Sequence, residues 1–138
     1  MKIFKITFLL LITVFSSCKK DVEILSAIKE TIIPGIPESK PYVRYVVDLE
    51  LLNDHNVEIE KIEFLQNKVS DFSIVDSKNN TDISKIEKKG MYKLIVTPNM
   101  ENNESSDIKD TLVIFYKFDD QNKKITLNSF TEKVTRRR

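Results

Sequence analysis

This chain is short of the residues that most site chemistry needs. Its 138 residues include one cysteine, one histidine, two glycines and no tryptophan. A single cysteine closes no internal disulfide, which excludes a disulfide framework and a cysteine-based zinc site. A single histidine, His55, excludes multi-histidine metal sites and offers a Ser-His-Asp arrangement only one base. His55 lies in NDHN, a run with turn composition, and reads as an exposed turn residue. The isolated Gly35 and Gly90 cannot supply G-x-x-x-x-G-K-S/T or G-x-G-x-x-G, so nucleotide binding by those loops is excluded. An excess of either charge is missing too: 22 Lys+Arg against 21 Asp+Glu give +1. No basic field points to nucleic acid, and no acidic excess points to a solvating tail.

A long apolar run is also lacking. The longest is Ile6 to Phe15, ITFLLLITVF, ten residues. Spanning a bilayer needs about 20. Lys2 and Lys5 precede the run, and the small residues Ser16 and Ser17 follow it. That order predicts a secretory signal peptide. The chain's one cysteine, Cys18, comes immediately after.

The run F-S-S-C, Phe15 to Cys18, resembles the lipobox of bacterial lipoproteins in the relaxed form of the Bacteroidota, with Phe15 where many lipoboxes carry Leu. The resemblance implies that residues 1–17 are removed and that Cys18 becomes the first residue, carrying a diacylglyceryl thioether and an acylated amine. Two or three acyl chains hold a protein stably at a membrane, where one holds it marginally. Lys19 in second place speaks, by the same resemblance, against retention at the inner membrane and so for the outer membrane, and KKDVE is similar to surface-export signals of such lipoproteins, with a periplasmic-facing and a surface-facing domain both left open. The alternatives are a secreted protein with a chance cysteine near its cut, or an uncleaved anchor. Loss of Lys2 and Lys5 leaves 20 basic against 21 acidic residues, or −1.

Beyond the leader the pattern is that of strands. VEILSAIKETII, Val22 to Ile33, predicts a first strand, although Ile24, Leu25, Ile28 and Ile32 also fit a helical stripe. Pro34 to Pro41 reads as an extended connector or edge crossing. From Tyr42 to Leu52 the period is two, with Val43, Tyr45, Val47, Leu49 and Leu51 on one face. In Val57 to Gln66 the apolar parity switches between Ile59 and Ile62, which calls for a bulge near Glu60 and Lys61. Further strands are expected at Phe72–Val75, Asp82–Glu87, within Lys88–Pro98, at Lys109–Phe118 and at Ile125–Val134, the last pairing back as a hairpin. Gly90, Tyr92, Leu94 and Val96 resemble the G-x-Y-x-L-x-V stretch of immunoglobulin-like and fibronectin-like domains, where the tyrosine forms a corner bond near the start of a late strand. The expected fold is all-β, an immunoglobulin-like sandwich of about seven strands. The expected organisation is a signal peptide over 1–17, a lipidated cysteine and tether over 18–41, a sandwich over 42–134 and a basic tail over 135–138.

No pattern marks an active site. Asp48, Glu50, Glu58, Glu60 and Glu63 offer paired carboxylates, but strand alternation gives them a solvated sheet face. Asp119 to Asn122, DDQN, and the SKNNTD turn offer oxygens for calcium without the EF-hand spacing, and read as hairpin turns. Tyr42, Phe72, Phe115, Tyr116, Phe118 and Phe130 would make a sugar platform, but a domain this small needs most of them in its core. Asp110, Thr111 and Leu112 match the D-S/T-apolar acceptor pattern of Bacteroidota O-glycosylation, on a stretch expected to be an inner strand where a glycan has no room. Arg136 to Arg138 read as a solvated, frayed end. The expected function is therefore that of a lipid-anchored envelope protein, not an enzyme, without cofactor or metal. It would act as a binding or accessory module for an envelope protein or glycan, through loops 98–107 or 119–124. The alternatives are a periplasmic inhibitor or immunity lipoprotein, or a structural envelope lipoprotein.

Overall fold

A computed structural model describes residues 22–100 and 109–138. They form ten strands: β1 (Val22–Ile33), β2 (Tyr42–Leu51), β3 (Val57–Phe64), β4 (Asn67–Val69), β5 (Phe72–Asp76), β6 (Thr81–Ile83), β7 (Gly90–Val96), β8 (Leu112–Phe118), β9 (Gln121–Leu127) and β10 (Thr131–Arg136). One sheet runs β10-β1-β2-β7-β5-β6 and the other β4-β3-β8-β9. The run β1-β2-β7-β5 facing β3-β8-β9 is the A-B-E-D/C-F-G order of an immunoglobulin-like sandwich, with β4, β6 and β10 added at three edges.

Period-two alternation drives the layering. On β2, Tyr45, Val47, Leu49 and Leu51 point inward, and the register sets them opposite Val96, Leu94, Tyr92 and Gly90 of β7. From the other sheet Val57, Ile62 and Phe64 of β3 and Leu112, Ile114, Tyr116 and Phe118 of β8 complete the core. The bulge expected in β3 is present: the register against β8 slips between Ile59 and Lys61, so both apolar parities face inward.

Several expectations are corrected. The described residues hold the seven strands of the expected sandwich and three more, β4, β6 and β10, at its edges. The first strand expected at Val22–Ile33 is present with those bounds, bonded to β2 on one side and, from Ile28, to β10 on the other, so this part of the 18–41 span belongs to the sandwich. Residues 34–41 are the loop of the β1–β2 hairpin, not an edge crossing, and Ser39 N–H donates to the Ile36 carbonyl within it (3.1 Å). The span 82–87 holds only the end of β6 and an isolated bridge from Ile86 to Val57. The span 125–134 is split: β9 pairs with β8, and the chain then crosses to the larger sheet, where β10 runs parallel to β1. Phe130 at this crossover packs on the core, which draws the chain across. The basic end is not frayed at its start: Arg136 closes β10, and Arg137 N–H donates to the Ile33 carbonyl (2.9 Å).

Two glycines are placed by geometry. A Cβ on Gly35 would stand 2.7 Å from the Arg137 carbonyl oxygen, so the β1–β2 loop approaches the C-terminal backbone closely only because it is absent. Gly90 has φ of 153°, which side-chain-bearing residues rarely adopt. It lets the chain enter β7 so that the Tyr92 hydroxyl donates to the Lys88 carbonyl (2.6 Å). The corner bond is thus made, but at the fifth position in immunoglobulin order, one strand earlier than the usual tyrosine corner.

Replacing Tyr92 by Phe removes that bond and should cost about 1 kcal/mol. Leu94→Ala empties a fully buried position facing β3 and β8 and should cost about 2–5 kcal/mol. Urea unfolding of each variant checks both values, and the order Leu94→Ala above Tyr92→Phe is the expected outcome.

Candidate interaction surface

The strand registers give the sandwich two distinct ends. Val22 pairs with Leu51, Leu51 with Gly90, and Val57 with Phe118. The start of the described chain therefore shares one end with the 52–56 loop, the 84–89 segment and the Asp119–Asp120 turn. Ile33 pairs with Arg136 and Phe64 with Leu112. The opposite end thus gathers the 34–41 loop, the Leu65–Gln66 turn, the approach to β8, the 128–130 crossover and the C-terminus.

That far end holds a polar node. Tyr45 is fully buried, its ring between Phe64 (5.1 Å) and Phe130 (4.8 Å). Its hydroxyl donates to Asp110 Oδ2 at 2.7 Å, and Lys29 Nζ reaches the same oxygen at 2.8 Å. Burial, and then the neighbouring Asp110 carboxylate, push the Tyr45 hydroxyl well above its ordinary range, so it stays a neutral donor. Burial alone would raise Asp110, but the bonds from Lys29 and Tyr45 outweigh it and hold the carboxyl below its ordinary value. An open cleft beside the node is lined by Lys29, Lys109, Asp110, Ser129, Phe130 and Glu132.

The outer face of the larger sheet carries a second cluster. Glu30 is only 6% exposed although it points away from the core. Arg44 Nε donates to its Oε2 at 2.7 Å and Thr135 Oγ1 to its Oε1 at 2.6 Å. The Arg44 bond is the main reason the Glu30 carboxyl lies below its ordinary value. These contacts tie β2 and β10 to β1. Nearby, Ser26 donates to Asp48 at 2.8 Å, and Lys93 stands 3.9 Å from that carboxylate.

At the near end Asp119 is fully occupied. The Asn56 N–H donates to its Oδ1 (2.9 Å), and His55 Nδ1 meets its Oδ2. The Asn56 N–H first, and His55 next, hold Asp119 below its ordinary value. His55 lies in a turn, as the sequence predicts, but it also stacks on Phe118 with 4.5 Å between ring centroids. Asp119 and Asp120 form the two-residue turn between β8 and β9, with φ of 45° and 69°.

Other candidates are dispersed. Glu60 pairs with Lys117 (3.2 Å) and Glu63 with Lys61 (3.0 Å), on the outer face of the smaller sheet. Phe72, Tyr116, Phe118 and Phe130 belong to or pack on the core, Phe115 lies under Lys61, and Tyr42 sits at the start of β2, so no aromatic platform assembles. Among the described residues no three or more His, Cys, Asp or Glu side chains gather as a metal would require. Thr111 precedes β8, is half-buried, and lines a surface hollow with Glu63 and Val113, not an inner strand. Cys18 and most of the 98–107 loop lie outside the described residues. The Lys29–Asp110–Tyr45 node escaped the sequence reading, because its members are 16 and 65 positions apart with no local motif; the Tyr45–Asp110 bond alone spans 65.

Asp110 gives a pH signature. Its folded value is below the ordinary 3.8, so its contribution to stability is complete above about pH 5 and is lost as the pH falls through the folded value. Asp110→Asn should lower stability at neutral pH by about 1–3 kcal/mol and flatten the loss of stability between pH 5 and 2.5. Urea unfolding across that range reads both effects.

No protein-family model, no curated protein and no solved structure matches this chain, so a functional reading must stand on its residues and geometry.

Proposed function

We propose that this chain is a lipid-anchored cell-envelope protein whose sandwich serves as a non-catalytic binding or accessory module. The observation that carries the reading is the placement of the only cysteine. Cys18 follows a positive start, a ten-residue apolar run and two serines, and lies four positions before the first residue of β1. Four extended residues span about 14 Å. An acylated Cys18 would therefore hold the sandwich close to the bilayer, with the 52–56 loop and the Asp119 turn toward the lipid. The 34–41 loop, the 128–130 crossover and the C-terminus would face away, toward partners. Glu30, Glu60, Glu63, Asp110 and Asp119 are engaged by lysine, arginine, tyrosine or backbone partners, an arrangement that suits a recognition surface. Membrane confinement raises the effective concentration of such a module for its neighbours.

Intact mass and membrane fractionation test the anchor. Wild type extracted from membranes should begin at an acylated Cys18, and Cys18→Ala should appear in the soluble fraction or keep its leader uncut. A free Cys18 thiol in a membrane-free wild type would overturn the reading. Protease shaving of whole cells then tells a surface-facing from a periplasmic domain.

A further inference from the structure

The outermost strands of the two sheets give four open edges, and they are not alike; the half of β1 that β10 does not reach, Val22–Ala27, is interrupted by the bulge between Ile24 and Ser26. β4 and β6 are three residues each, too short to template another strand. β9 is longer, but its edge carries Lys123 and Lys124 and no carboxylate. β10 is the exception. It is six residues long, it holds charges of both signs, and its Val134 is 62% exposed. Among the described residues nothing pairs with its outer edge.

The backbone phase of that edge follows from β1. Arg137 N–H donates to the Ile33 carbonyl, in register with the Ile33–Arg136 pair. Alternation then turns residues 131, 133, 135 and 137 toward β1. Glu132, Val134 and Arg136 present their N–H and C=O groups outward. Their side chains also share one face, and neither Glu132 nor Arg136 has an ion-pair partner among the described residues.

We propose that a second copy of this chain docks on this edge, β10 against β10 antiparallel, with Val134 opposite Val134 on the two-fold axis. In that register each Glu132 faces the other copy's Arg136, and each Lys133 faces the other copy's Thr135. Val134, Glu132 and Arg136 are the outward-bonding positions, so the two strands exchange about six backbone hydrogen bonds. Electrostatics select the register. Centring on Lys133 sets lysine against lysine. Centring on Thr135 sets Lys133 against Arg137. Centring on Glu132 or Arg136 sets each against itself. Among the registers centred on residues 132–136, the Val134-centred pairing alone places no like charges opposite, and it gains two opposite-charge pairs. The two-fold closes the contact, so it ends at a dimer and does not propagate as a filament.

Disulfide trapping reads the register directly. The full chain carries Cys18→Ala, in detergent, so that each introduced thiol is the only one. Lys133→Cys and Thr135→Cys are oxidised separately and as an equal mixture. Opposed positions 133 and 135 form a non-hydrogen-bonded pair with Cα atoms about 4.5 Å apart, within disulfide reach. The mixture should give covalent dimers joining one of each variant, and neither variant alone should. Dimers from either variant alone at the mixture's yield, or none from the mixture, would overturn the proposal. Charge reversal provides the independent arm. Sedimentation of the uncross-linked chain should show dimers weakened about tenfold or more by Glu132→Arg and by Arg136→Glu, and restored when both are combined. A wild-type chain that stays monomeric at the highest soluble concentration sinks the idea outright.

Discussion

The structure depends on β1 being held along both edges. Its inward and outward side chains reach different partners at successive positions. Lys29 turns inward to Asp110, Glu30 turns outward to Arg44 and Thr135, and Ser26 holds Asp48. Backbone pairing to β2 and β10 runs through the same stretch. A strand that contributed only apolar contacts would be free to slide by two residues. The alternation of a basic inward and an acidic outward residue makes such a slip costly, because both charges would lose their partners at once.

That arrangement gives a buried carboxylate an unusual place. Glu30 lies on the outer side of the sheet, where carboxylates are normally solvated, yet long neighbouring side chains cover it. Taking a carboxylate out of water is unfavourable by several kcal/mol unless its oxygens are satisfied. Arg44 takes one oxygen and Thr135 the other, and these come from the strands on either side. Loss of either partner strand would leave the charge unpaired, so Glu30 discourages partial unfolding of β10 more than it raises global stability. The parallel β1–β10 pair needs this help, since its strands are joined by no hairpin and must close the longest loop in the domain.

The core strands were legible in the sequence because their period of two is unbroken and their apolar residues are numerous. β2, β7 and β8 and the β3 bulge follow directly from spacing. The misreadings cluster where one local signal stood for two structures. Leu65 and Gln66 form a turn with φ of 48° and 68°, a conformation associated with Asn and Gly, so nothing in their identity announced β4. Leu65 accepts it because its side chain packs against the core. Ile125 to Val134 read as one strand because only Asn128 and Ser129 interrupt it, and neither is a glycine or proline. The node at Asp110 was illegible in principle: it joins three segments that only the sheet order brings together, and Asp110 reads as the start of a strand and of a D-S/T-apolar pattern until Tyr45 is seen beneath it.

The position of β10 carries one more consequence. A sandwich in immunoglobulin order ends its sheet at the first strand, whose outer edge is then exposed. Here the last strand covers that edge from Ile28 to Ile33, so this half of the first strand is interior and both ends of the described chain are fixed to one sheet. Over Ile28–Ile33, which holds three of the strand's four isoleucines, the exposed edge is thereby moved from β1 to β10, which is polar on its outer positions apart from Val134. An edge of long apolar residues templates indiscriminate pairing, whereas alternating charges admit only a complementary register. Covering β1 with β10 thus exchanges an aggregation-prone border for a selective one, and the cost is the closure of a chain-length loop that Glu30 and the Tyr45 node together offset.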